Sequence, residues 1–565
     1  MKVTLIQPPI QDFYFTPMRS FPLGLCSLAS CLKRKGHAVV IFDCIQGGTR
    51  GPAVSDDTAF DYLKPFYPKK NLSPFGLFKE FRHYGLSFAK IRDELAKLDA
   101  KVFGISSLCS AYADESLRVA HIVKEVHPKS LVVMGGAHAH EYAEYILTHC
   151  LAVDFIVLGE GEETFCELVS SLHAPQKVKG IAYRKNSIAI KTEKRSFVQP
   201  LRSVPWAQRD LLDLDSYTIK KQRYTPIQTA RGCPLCCTFC SIPHFMGKKF
   251  RMRDAHDVCS EIIHCYDRLK IRIFDIEDDN FTCDKKRAVQ LLSLLIERLE
   301  TRSIELTAMN GLYYKGLDKN IIALLHIIGM RRINLSLVSS SDATAQKMKR
   351  NVEFEIFKEV IQWARECDMH ITVYFIVGLP GERIDDMLRT LLYLSTLPVL
   401  IGPSIYYHVP GSPLFAQLEK KGVVLRKDYR FFRSSALFYE NEMFNRCDIA
   451  TVFRLTRIIN FIKALLLKTD NSSDIHMPTF INKEVKRLTD NQVFINKESV
   501  ISNRFLSQEE IGIVLLKKFI DEHDIYSLKK GQREKGRAVY AFAREKVSLP
   551  VVKKFFALFA EMFSL

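Results

Sequence analysis

The chain has 565 residues, of which 47% are hydrophobic and 25% are charged. This composition is typical of globular proteins and excludes a fibrous or disordered chain, and the length allows about three or four domains. Lysine and arginine outnumber aspartate and glutamate by 81 to 63, which gives a formal net charge of +18. Because the basic residues are spread along the chain, we expect a solvated basic surface rather than a nucleic-acid-binding protein.

The first residues form a short apolar strand that ends in two prolines, without the features of a cleaved signal peptide. No window reaches the ~18 uninterrupted apolar residues that a membrane-spanning helix needs. We therefore expect a cytoplasmic protein. The 15 cysteines are an odd number, and without a secretory signal they favour reduced thiols or metal ligands over a disulfide framework.

Residues 1–195 alternate short β-branched runs with amphipathic helices, a pattern that predicts a doubly wound, parallel α/β domain. The predicted strands are Val3–Ile6, Ala38–Phe42, Val102–Ile105, Leu131–Met134 and Asp154–Val157, and the predicted helices are Leu23–Lys35, Ala113–Val126 and Glu141–Thr148. A charged hairpin at 180–195 ends the domain, and residues 196–223 are predicted to form a linker.

An aromatic segment at 61–88 interrupts this alternation. It contains Tyr62, Phe66, Tyr67, Phe75, Phe78, Phe81 and Tyr84. Because it is longer than an ordinary connection, it is predicted to be either a functional lid or an insertion packed over the sheet, and packing is the favoured interpretation.

Residues 224–421 contain a second βα series, which predicts a partial (β/α)6 barrel with its active site at the carboxyl ends of the strands. The predicted strands are Thr225–Thr229, Ile271–Ile276, Glu305–Ala308, Ile333–Leu337, Thr372–Val377 and Ser404–Tyr407. Residues 422–565 are predicted to form a mainly helical domain, whose last stretch at 551–565 is amphipathic.

Three cysteines are spaced C-x3-C-x2-C on a loop directly after the first of these strands: Cys233, Cys237 and Cys240. Three thiolates on one loop can bind three irons of a four-iron cluster and leave the fourth iron open to an external ligand. A structural zinc site is the alternative, but zinc usually takes four protein ligands in two C-x2-C pairs, and no second pair follows. Cys236 is disfavoured as a fourth ligand because its neighbour Cys237 already belongs to the pattern.

The loop resembles that of the radical S-adenosylmethionine (SAM) superfamily. The resemblance implies a 4Fe-4S cluster whose open iron binds the amino and carboxylate groups of SAM, and reductive cleavage of SAM to a 5'-deoxyadenosyl radical. It also implies that Phe239, before the last cysteine, lies near the adenine.

Later strand ends resemble the other SAM-binding segments of this superfamily. Asp278 and Asn280, in segment 278–282, match the segment that holds the methionine amino group, and Gly378, in segment 378–382, matches the glycine turn beneath the adenosine. Pro410 begins the P-G-[ST]-P match at 410–413. After the fourth strand, Val338 stands where many relatives have a glutamate, so Ser336, Ser339 or Ser340 are candidate hydroxyl partners of the ribose.

A doubly wound domain before such a barrel resembles the cobalamin-binding radical SAM enzymes, over residues 1–418. The matching residues, which the resemblance assigns to cobalamin binding, are Pro8, Leu23, Gly24, Ser106, Ser107, Gly135, Gly136, His138, Gly159, Glu160 and Gly161. Because no D-x-H-x-x-G loop exists, cobalamin is expected to bind without a protein histidine on cobalt, and neither His37 nor His138 is expected to replace one. A scaffold domain without cobalamin is the alternative.

Methylthiotransferases of the same superfamily are a competing interpretation, since they need three further cluster cysteines in the first domain. The available cysteines are Cys26, Cys31, Cys44, Cys109, Cys150 and Cys166. Cys26 and Cys31 fall inside a predicted helix, and Cys109 alone falls on an obvious strand-end loop, so most of these thiols are predicted to be packed in the core.

The resemblance implies methylation of an unactivated carbon, or of a phosphinate-like centre, in a small molecule or lipid. Another radical reaction such as rearrangement or ring contraction, a reaction without cobalamin, and a cobalamin- or redox-responsive sensor remain alternatives. A reductant such as flavodoxin or ferredoxin is the expected partner, and substrate identity is not predicted.

Three further features carry weaker expectations. The basic run Lys248, Lys249, Arg251 and Arg253 could neutralise a substrate anion, although a solvated face is favoured; Tyr406, Tyr407 and His408 are candidates for lining the pocket. The carboxy-terminal region is expected to close the active site, with a partner or a peripheral membrane contact through Phe555, Phe556, Phe559 and Phe563 as alternatives.

Overall fold

The computed structural model describes residues 1–46, 50–54, 57–467, 477–495 and 499–563. The elements of its amino-terminal domain are β1 (Lys2–Gln7), β2 (Ile10–Asp12), α1 (Leu23–Arg34), β3 (Ala38–Asp43), β4 (Arg50–Ala53), β5 (Arg82–Tyr84), α2 (Phe88–Leu95), β6 (Val102–Ser106), α3 (Ala113–Val126), β7 (Leu131–Gly135), α4 (Ala137–Glu141), α5 (Ala143–His149), β8 (Phe155–Val157), α6 (Gly161–Ser170), β9 (Ile181–Lys185) and β10 (Ile188–Lys191).

Five strands of this domain pair in parallel in the order β8-β7-β6-β1-β3, and the antiparallel hairpin β9–β10 extends the β8 edge. Val3, Leu5 and Ile6 of β1 are all buried, because helices cover both faces of the sheet. The predicted doubly wound domain and its charged hairpin are confirmed.

The barrel consists of β11 (Thr218–Ile219), β12 (Gln222–Ile227), β13 (Ala230–Arg231), α7 (Ile242–Phe245), β14 (Arg251–Met252), α8 (Ala255–Leu269), β15 (Ile271–Ile276), α9 (Lys285–Leu299), β16 (Glu305–Thr307), α10 (Lys319–Ile328), β17 (Arg332–Val338), α11 (Asp342–Lys347), α12 (Phe354–Glu366), β18 (His370–Val377), α13 (Ile384–Thr396), β19 (Leu400–Ile405) and α14 (Pro413–Lys420). Two parallel sheets, β12-β15-β16 and β17-β18-β19, contribute six strands, and a parallel bridge between Leu312 and Leu335 joins them. The predicted six-stranded partial barrel is confirmed.

The last barrel strand lies earlier in the chain than predicted. β19 runs from Leu400 to Ile405, whereas Tyr406 and Tyr407 follow its end. Gly402 and Pro403 are poor strand formers, and they hid the first half of the strand from pattern analysis.

The carboxy-terminal domain contains α15 (Arg446–Leu466), α16 (Met477–Asp490), β20 (Val493–Ile495), β21 (Ser499–Ser502), α17 (Gln508–Glu522), β22 (Tyr526–Glu534), β23 (Arg537–Arg544) and α18 (Leu549–Phe563). Helices predominate, in agreement with the sequence. The four strands form an antiparallel sheet in the order β20-β21-β23-β22, which the sequence did not predict.

The aromatic segment packs on a different surface from the one predicted. Instead of covering the amino-terminal sheet, Phe66 and Phe75 join a core shared by the barrel and the carboxy-terminal domain. Arg454 of α15 donates to the carbonyl of Phe66 at 2.8 Å, and the Leu72 amide donates to the carbonyl of Leu528 in β22 at 2.8 Å. The segment therefore connects the carboxy-terminal domain to the rest of the chain through a shared core and hydrogen bonds.

The aromatic side chains of α18 face the protein interior. Phe555 is buried, and Phe556 stacks on His523 with ring centroids 3.9 Å apart. Phe559 is half-buried against the same core, and the side chain of Phe563 lies outside the described residues. The alternative of a membrane contact through Phe555, Phe556 and Phe559 is thus wrong, because these side chains are used in packing. Among the described helices, none is both long and apolar enough to cross a bilayer.

Candidate functional site

The three predicted cluster cysteines lie on one loop between β13 and α7, above the carboxyl end of β12. Cys233 and Cys237 are buried and Cys240 is half-buried, whereas Cys236 is exposed. The Cys233 amide donates to the carbonyl of Gly247 at 3.2 Å, and the Cys240 amide donates to that of Cys237 at 3.2 Å. The three cysteines of the pattern are thus at least partly shielded from water, whereas Cys236 is exposed.

Gly232 is the residue that allows this loop to pack so tightly. Its φ is +85°, and a Cβ there would lie 2.4 Å from the Lys249 carbonyl oxygen. No L-residue fits this combination of backbone conformation and contact.

Two side chains place donors on the cluster cysteines. Asn280 Nδ2 lies 3.8 Å from Cys233 Sγ, and Arg350 Nη1 lies 3.8 Å from Cys237 Sγ. Asn280 Oδ1 and Arg350 Nε are buried without a hydrogen-bond partner among the described residues. Donors aimed at thiolate sulfurs and unsatisfied polar atoms beside them fit a cluster that occupies this position.

Two of the three thiols hold their protons more tightly than a free cysteine does. Burial raises the pKa of Cys233 and raises the pKa of Cys240 to about 11. Such thiols lose their protons when a metal replaces them. Within the described ranges, no three His, Cys, Asp or Glu side chains converge enough to hold a single metal ion; a four-iron cluster needs no such convergence, since each thiolate binds its own iron.

Asp278 and its neighbour Asp279 brace the loop from β15. Asp278 is buried and accepts hydrogen bonds from the backbone amides of Thr229, at 2.6 Å, and Ala230, at 2.9 Å, as well as from the Thr229 hydroxyl. Asp279 accepts from the Gly232 amide at 2.9 Å, and burial raises its pKa to about 6. Both oxygens of Asp278 are thus already used, so its predicted contact with SAM stays a prediction, and Asn280 is the better-placed of the two predicted residues.

Phe239 lies in a small apolar cluster at the barrel mouth, half-buried against Val338, Leu379 and Tyr406. Val338 has a φ of +78°, a conformation that is unusual for a β-branched residue, and the β17–β18 register is irregular between Ser336 and Val338. This cluster forms an apolar wall next to the cysteine loop, as the predicted adenine contact of Phe239 requires.

Val338 stands where many relatives have a glutamate, but another glutamate lies close by: Glu382, in the turn after β18, contacts Ser339 at the end of β17. The Ser339 hydroxyl donates to Glu382 Oε1 at 3.2 Å, and the Leu379 amide donates to Glu382 Oε2 at 3.2 Å. Glu382 is 1% exposed, and burial raises its pKa to about 8. Of the predicted ribose partners, Ser339 is therefore engaged with Glu382, whereas Ser336 stays half-buried in β17.

The carboxy-terminal domain covers the glycine turn after β18. Gly378 has a φ of +84°, and a Cβ there would lie 3.0 Å from Ile449 Cδ1 of α15. A small cavity of about 10 Å³ is enclosed here by strand-end residues and by Leu437, Tyr439 and Ile449. These contacts support the expectation that the carboxy-terminal region closes the site.

The motif that begins at Pro410 lies against the helix that follows the cluster loop. Gly411 has a φ of +81°, and a Cβ there would lie 3.0 Å from the rings of both His244 and Phe245 in α7. The structure thus brings the sixth strand end to the cluster loop.

The carboxyl edge of the amino-terminal sheet carries two buried polar atoms that have no hydrogen-bond partner in the part of the chain that the structure describes. They are Gln7 Oε1, at the end of β1, and Ser107 Oγ, just after β6. Gly136, after β7, has a φ of +111°, and a Cβ there would lie 2.6 Å from the Ser107 carbonyl oxygen. Unsatisfied polar atoms beside a tight glycine turn fit a ligand that binds at the edge of a doubly wound sheet.

His138 is enclosed by aromatic rings. It stacks on Tyr142 with centroids 4.4 Å apart, its Nδ1 lies 3.0 Å from Ser110 Oγ, and Tyr429 packs against it. Burial lowers the pKa of His138 to about 3, so the ring is neutral. Its place in the turn after β7 agrees with a packing role, as expected for a histidine that does not bind cobalt.

The remaining predicted cobalamin residues lie around the same edge. Pro8 is buried, Leu23, Ser106, Gly135 and Gly161 are half-buried, and Gly24 and Gly159 are exposed. A Cβ at Gly24 or Gly159 would meet no atom within 4 Å. Of the six cysteines considered for a second cluster, Cys109 is exposed and the other five are buried.

The side-chain carboxylate of Glu160 connects the amino-terminal domain to the barrel. It is 4% exposed and pairs with Arg231 at 2.9 Å and with Arg251 at 3.0 Å, both from the barrel. It also accepts from the Val198 amide at 2.6 Å. The predicted cobalamin contact of Glu160 stays a prediction, and the negative charge of its side chain is already paired across the two domains.

The sheet edge and the cluster loop face each other. His140 of α4 packs edge-on against Phe245 of α7, with centroids 5.1 Å apart, and Glu141 Oε2 lies 3.3 Å from His244 Nε2. The predicted cobalamin edge is therefore in direct contact with the helix that follows the loop of the predicted cluster cysteines.

Tyr407, which sequence analysis named as a candidate for lining the pocket, lies near two residues that it missed, Tyr14 and Arg19. Tyr14 and Tyr407 are each 42% exposed, and Arg19 donates to the Met309 carbonyl at 2.8 Å. The enclosed position of Tyr407, together with nearby Cys109 and Tyr14, raises its pKa to about 12. Arg19 carried no signal in the sequence because it belongs to another domain.

Comparison with known proteins agrees with this geometry. The radical SAM superfamily model matches residues 227–394, and the B12 binding domain model matches residues 79–169. The chain is a radical SAM enzyme with an amino-terminal B12-binding domain.

Individual relatives are similar over most of the chain. An uncharacterised methyltransferase of Pyrococcus horikoshii is 25% identical over 83% of this chain and 94% of its own. The cytidylyl-2-hydroxyethylphosphonate methyltransferase of Streptomyces wedmorensis is 27% identical over 68% of this chain and 75% of its own.

Two solved structures share the fold. The cobalamin-dependent SAM radical enzyme OxsB, with aqua-cobalamin bound, superposes with a TM-score of 0.59 and 13% identity over 98% of this chain and 84% of its own. The radical SAM methyltransferase TsrM of Kitasatospora setae, with cobalamin and a [4Fe-4S] cluster, gives 0.57 and 15% identity over 74% and 75%.

Proposed function

We propose that this protein is a cobalamin-dependent methyltransferase that adds a methyl group to an unactivated carbon of a small molecule. The observation that carries the proposal is the contact between the sheet edge and the helix after the cysteine loop, where α4 and α7 meet through His140 and Phe245. A substrate bound next to this contact can be reached from both proposed cofactor sites.

Cys233, Cys237 and Cys240 bind the cluster, and Asn280 and Arg350 donate to its sulfur ligands. When bound, the cluster supplies the electron that cleaves SAM, and cobalamin supplies the methyl group. Phe239 and Tyr406 form the apolar wall for the adenine, and the turn from Gly378 to Glu382 holds the adenosine from below. Pro410 and Ser336 complete the proposed SAM site.

Cobalamin occupies the carboxyl edge of the amino-terminal sheet. Gln7 and Ser107 offer it their unpaired oxygens, and the turn at Gly135–Gly136 allows the backbone to approach it closely. No histidine binds its cobalt, since the ring of His138 is held between Tyr142 and Tyr429.

The substrate is a small molecule with an anionic group. Arg19, which contacts the barrel at the Met309 carbonyl, binds this group between the two domains. The relative from Streptomyces wedmorensis, by its name, methylates a phosphonate-containing molecule, which is in keeping with this role. Tyr14 and Tyr407 offer aromatic surface and hydroxyl groups to the same substrate.

The electron donor is a flavodoxin or a ferredoxin, and the cytoplasm is the proposed location because reduced thiols and such donors are found there. Lys248 and Lys249 are exposed beside the cluster loop, where they can attract an acidic carrier. The face next to Cys236 is the proposed docking side.

Anaerobic reconstitution with iron, sulfide and hydroxocobalamin tests the proposal. We expect four irons and one cobalt per chain, and we expect reduced protein with SAM and a substrate to form 5'-deoxyadenosine and S-adenosylhomocysteine together. 5'-Deoxyadenosine alone would indicate another radical reaction, such as a rearrangement. Neither product would indicate a sensor and overturn the assignment.

A further inference from the structure

Four charged side chains join the B12-binding domain to the two short strands that flank the cluster loop. Arg231 Nη1 lies 2.9 Å from Glu160 Oε1, and Arg231 Nη2 lies 2.6 Å from Glu162 Oε1. Arg251 Nη1 lies 3.0 Å from Glu160. We name Glu160, Glu162, Arg231 and Arg251 the interdomain charge cluster.

The interdomain charge cluster is shielded from water. The side chains of Glu160 and Arg251 are each 4% exposed, and those of Glu162 and Arg231 are 9% and 11% exposed. Two positive and two negative charges balance each other. A buried ion pair of this kind depends strongly on each partner, because removing one partner leaves an uncompensated charge in a dry environment.

The position of Arg231 in the chain makes this contact relevant to the cluster. Arg231 is followed by Gly232 and then by Cys233, and β13 pairs Arg231 with Arg251 of β14. Glu160 directly precedes α6 and Glu162 lies in the first turn of that helix, at the carboxyl edge of the amino-terminal sheet. One contact thus connects the edge where cobalamin is proposed to bind with the first cluster ligand.

Both ends of the guanidinium are used. One nitrogen binds Glu160 and the other binds Glu162, so the orientation of Arg231 is fixed as well as its distance. Ser27 donates to Glu162 at 3.1 Å, which anchors that carboxylate to α1. The contact therefore reaches into the packed interior of the B12-binding domain.

We propose that the interdomain charge cluster is a positioning device that couples the two cofactor sites: it holds the cluster loop against the B12-binding domain, so that bound cobalamin stabilises the iron–sulfur cluster. The inference rests on the proposed cofactors and does not require methyl transfer. Coupling between two binding sites is reciprocal, so weakening this contact lowers the retention of both groups.

The test measures the loss of iron from reconstituted full-length protein to a ferrous-iron chelator, with and without hydroxocobalamin. We expect cobalamin to slow iron loss several-fold in the unchanged protein. Glu162→Gln and Arg231→Lys should bring the ratio of the two rates close to one. Glu163→Gln is the matched control, because Glu163 is 51% exposed on the same turn and lies 3.7 Å from Arg195, outside the cluster.

The reduction potential of the cluster separates positioning from charge. Glu162→Gln leaves an uncompensated positive charge near the cluster and should make its potential more positive. Arg231→Lys keeps the charge but lacks the planar fork that holds the two carboxylates in a fixed geometry, so its potential should stay near that of the unchanged protein while the protection by cobalamin disappears. A purely structural role would not give this division between the two variants.

Each outcome decides the proposal. If either variant binds one cobalt per chain and keeps the protection of the unchanged protein, the coupling is overturned. If Arg231→Lys folds but binds less cobalamin, the coupling is supported, because Arg231 lies in the barrel and contacts the B12-binding domain through Glu160 and Glu162. If the unchanged protein binds iron but no cobalt, both this inference and the proposed function are overturned. If it binds cobalt and the two variants keep the same protection against iron loss, only the inference is overturned.

Discussion

The side-chain amide of Asn280 lies 3.8 Å from the sulfur of Cys233, the first ligand of the proposed cluster. Asn280 is 5% exposed, and it follows β15 directly after the two aspartates that brace the loop. The contact connects a strand end of the barrel with the loop that follows the preceding strand. An N–H donor on a ligand sulfur stabilises its negative charge, and with it the reduced state of the cluster.

Asn280→Leu is therefore expected to make the reduction potential of the cluster more negative and to slow reductive cleavage of SAM at a fixed potential of the donor. Potentiometric titration of the reconstituted protein checks the shift. Asn310→Leu is the control, since Asn310 is exposed and donates to Glu277 rather than to a cysteine. Equal potentials in the two variants would show that Asn280 does not act on the cluster.

Cys233→Ala is expected to abolish both the four-iron cluster and SAM cleavage, because the proposed cluster has three thiolate ligands and the substitution removes one of them. Cys236→Ala should retain both, since this thiol is exposed and lies outside the C-x3-C-x2-C pattern. Iron analysis and the yield of 5'-deoxyadenosine provide the two measurements. SAM cleavage by Cys233→Ala would contradict the assignment of the loop.

Much of this site could be predicted from the sequence, because local spacing determines it. Cys233, Cys237 and Cys240 lie within one loop, and Gly136 and Gly378 mark turns whose positive φ only glycine tolerates easily. What the sequence did not reveal depends on distant partners. Glu160 was placed in a cobalamin turn, and nothing near it in the chain indicates that Arg231 takes its carboxylate.

The same reason explains the missed elements outside the site. The hairpin β22–β23 is rich in lysine and arginine, which are poor strand formers, and its buried face includes Leu528 and Tyr540. The aromatic segment showed that it must be buried, but the surface that covers it is formed by residues hundreds of positions later. Arg454, which binds the carbonyl of Phe66, is itself buried against Glu545 at 2.7 Å.

Gly136→Ala is expected to weaken cobalamin binding. The residue has a φ of +111°, and an added Cβ would lie 2.6 Å from the Ser107 carbonyl oxygen, so the turn after β7 must shift at a cost of about 1–3 kcal/mol. Ser107, whose hydroxyl is free to meet the ligand, would move with it. Gly36→Ala is the control, because Gly36 also has a positive φ, of +79°, but lies at the other edge of the sheet, where a Cβ meets nothing within 4 Å. Titration with hydroxocobalamin should show weaker binding for the first variant and little change for the second.

Glu382→Gln is expected to remove a pH dependence of stability. Burial raises the pKa of Glu382 from 4.5 to about 8, and neighbouring Asp386 acts in the same direction. The folded protein therefore keeps the Glu382 proton where the unfolded chain has lost it. Its contribution to stability is fully present below pH 4.5 and is lost as the pH rises toward about 8, by roughly 1.4 kcal/mol per pH unit at most.

A glutamine at this position offers a permanent N–H to the same surroundings and does not titrate. The thermal unfolding midpoint of Glu382→Gln, compared with the unchanged protein, should therefore gain most at the upper end of this pH range and least at the lower end. Glu359→Gln, on the exposed side of α12, should follow the unchanged protein throughout. Parallel curves for Glu382→Gln and the unchanged protein would mean that the carboxyl beneath the glycine turn is already ionised when folded, and that the turn holds a negative charge next to the adenosine.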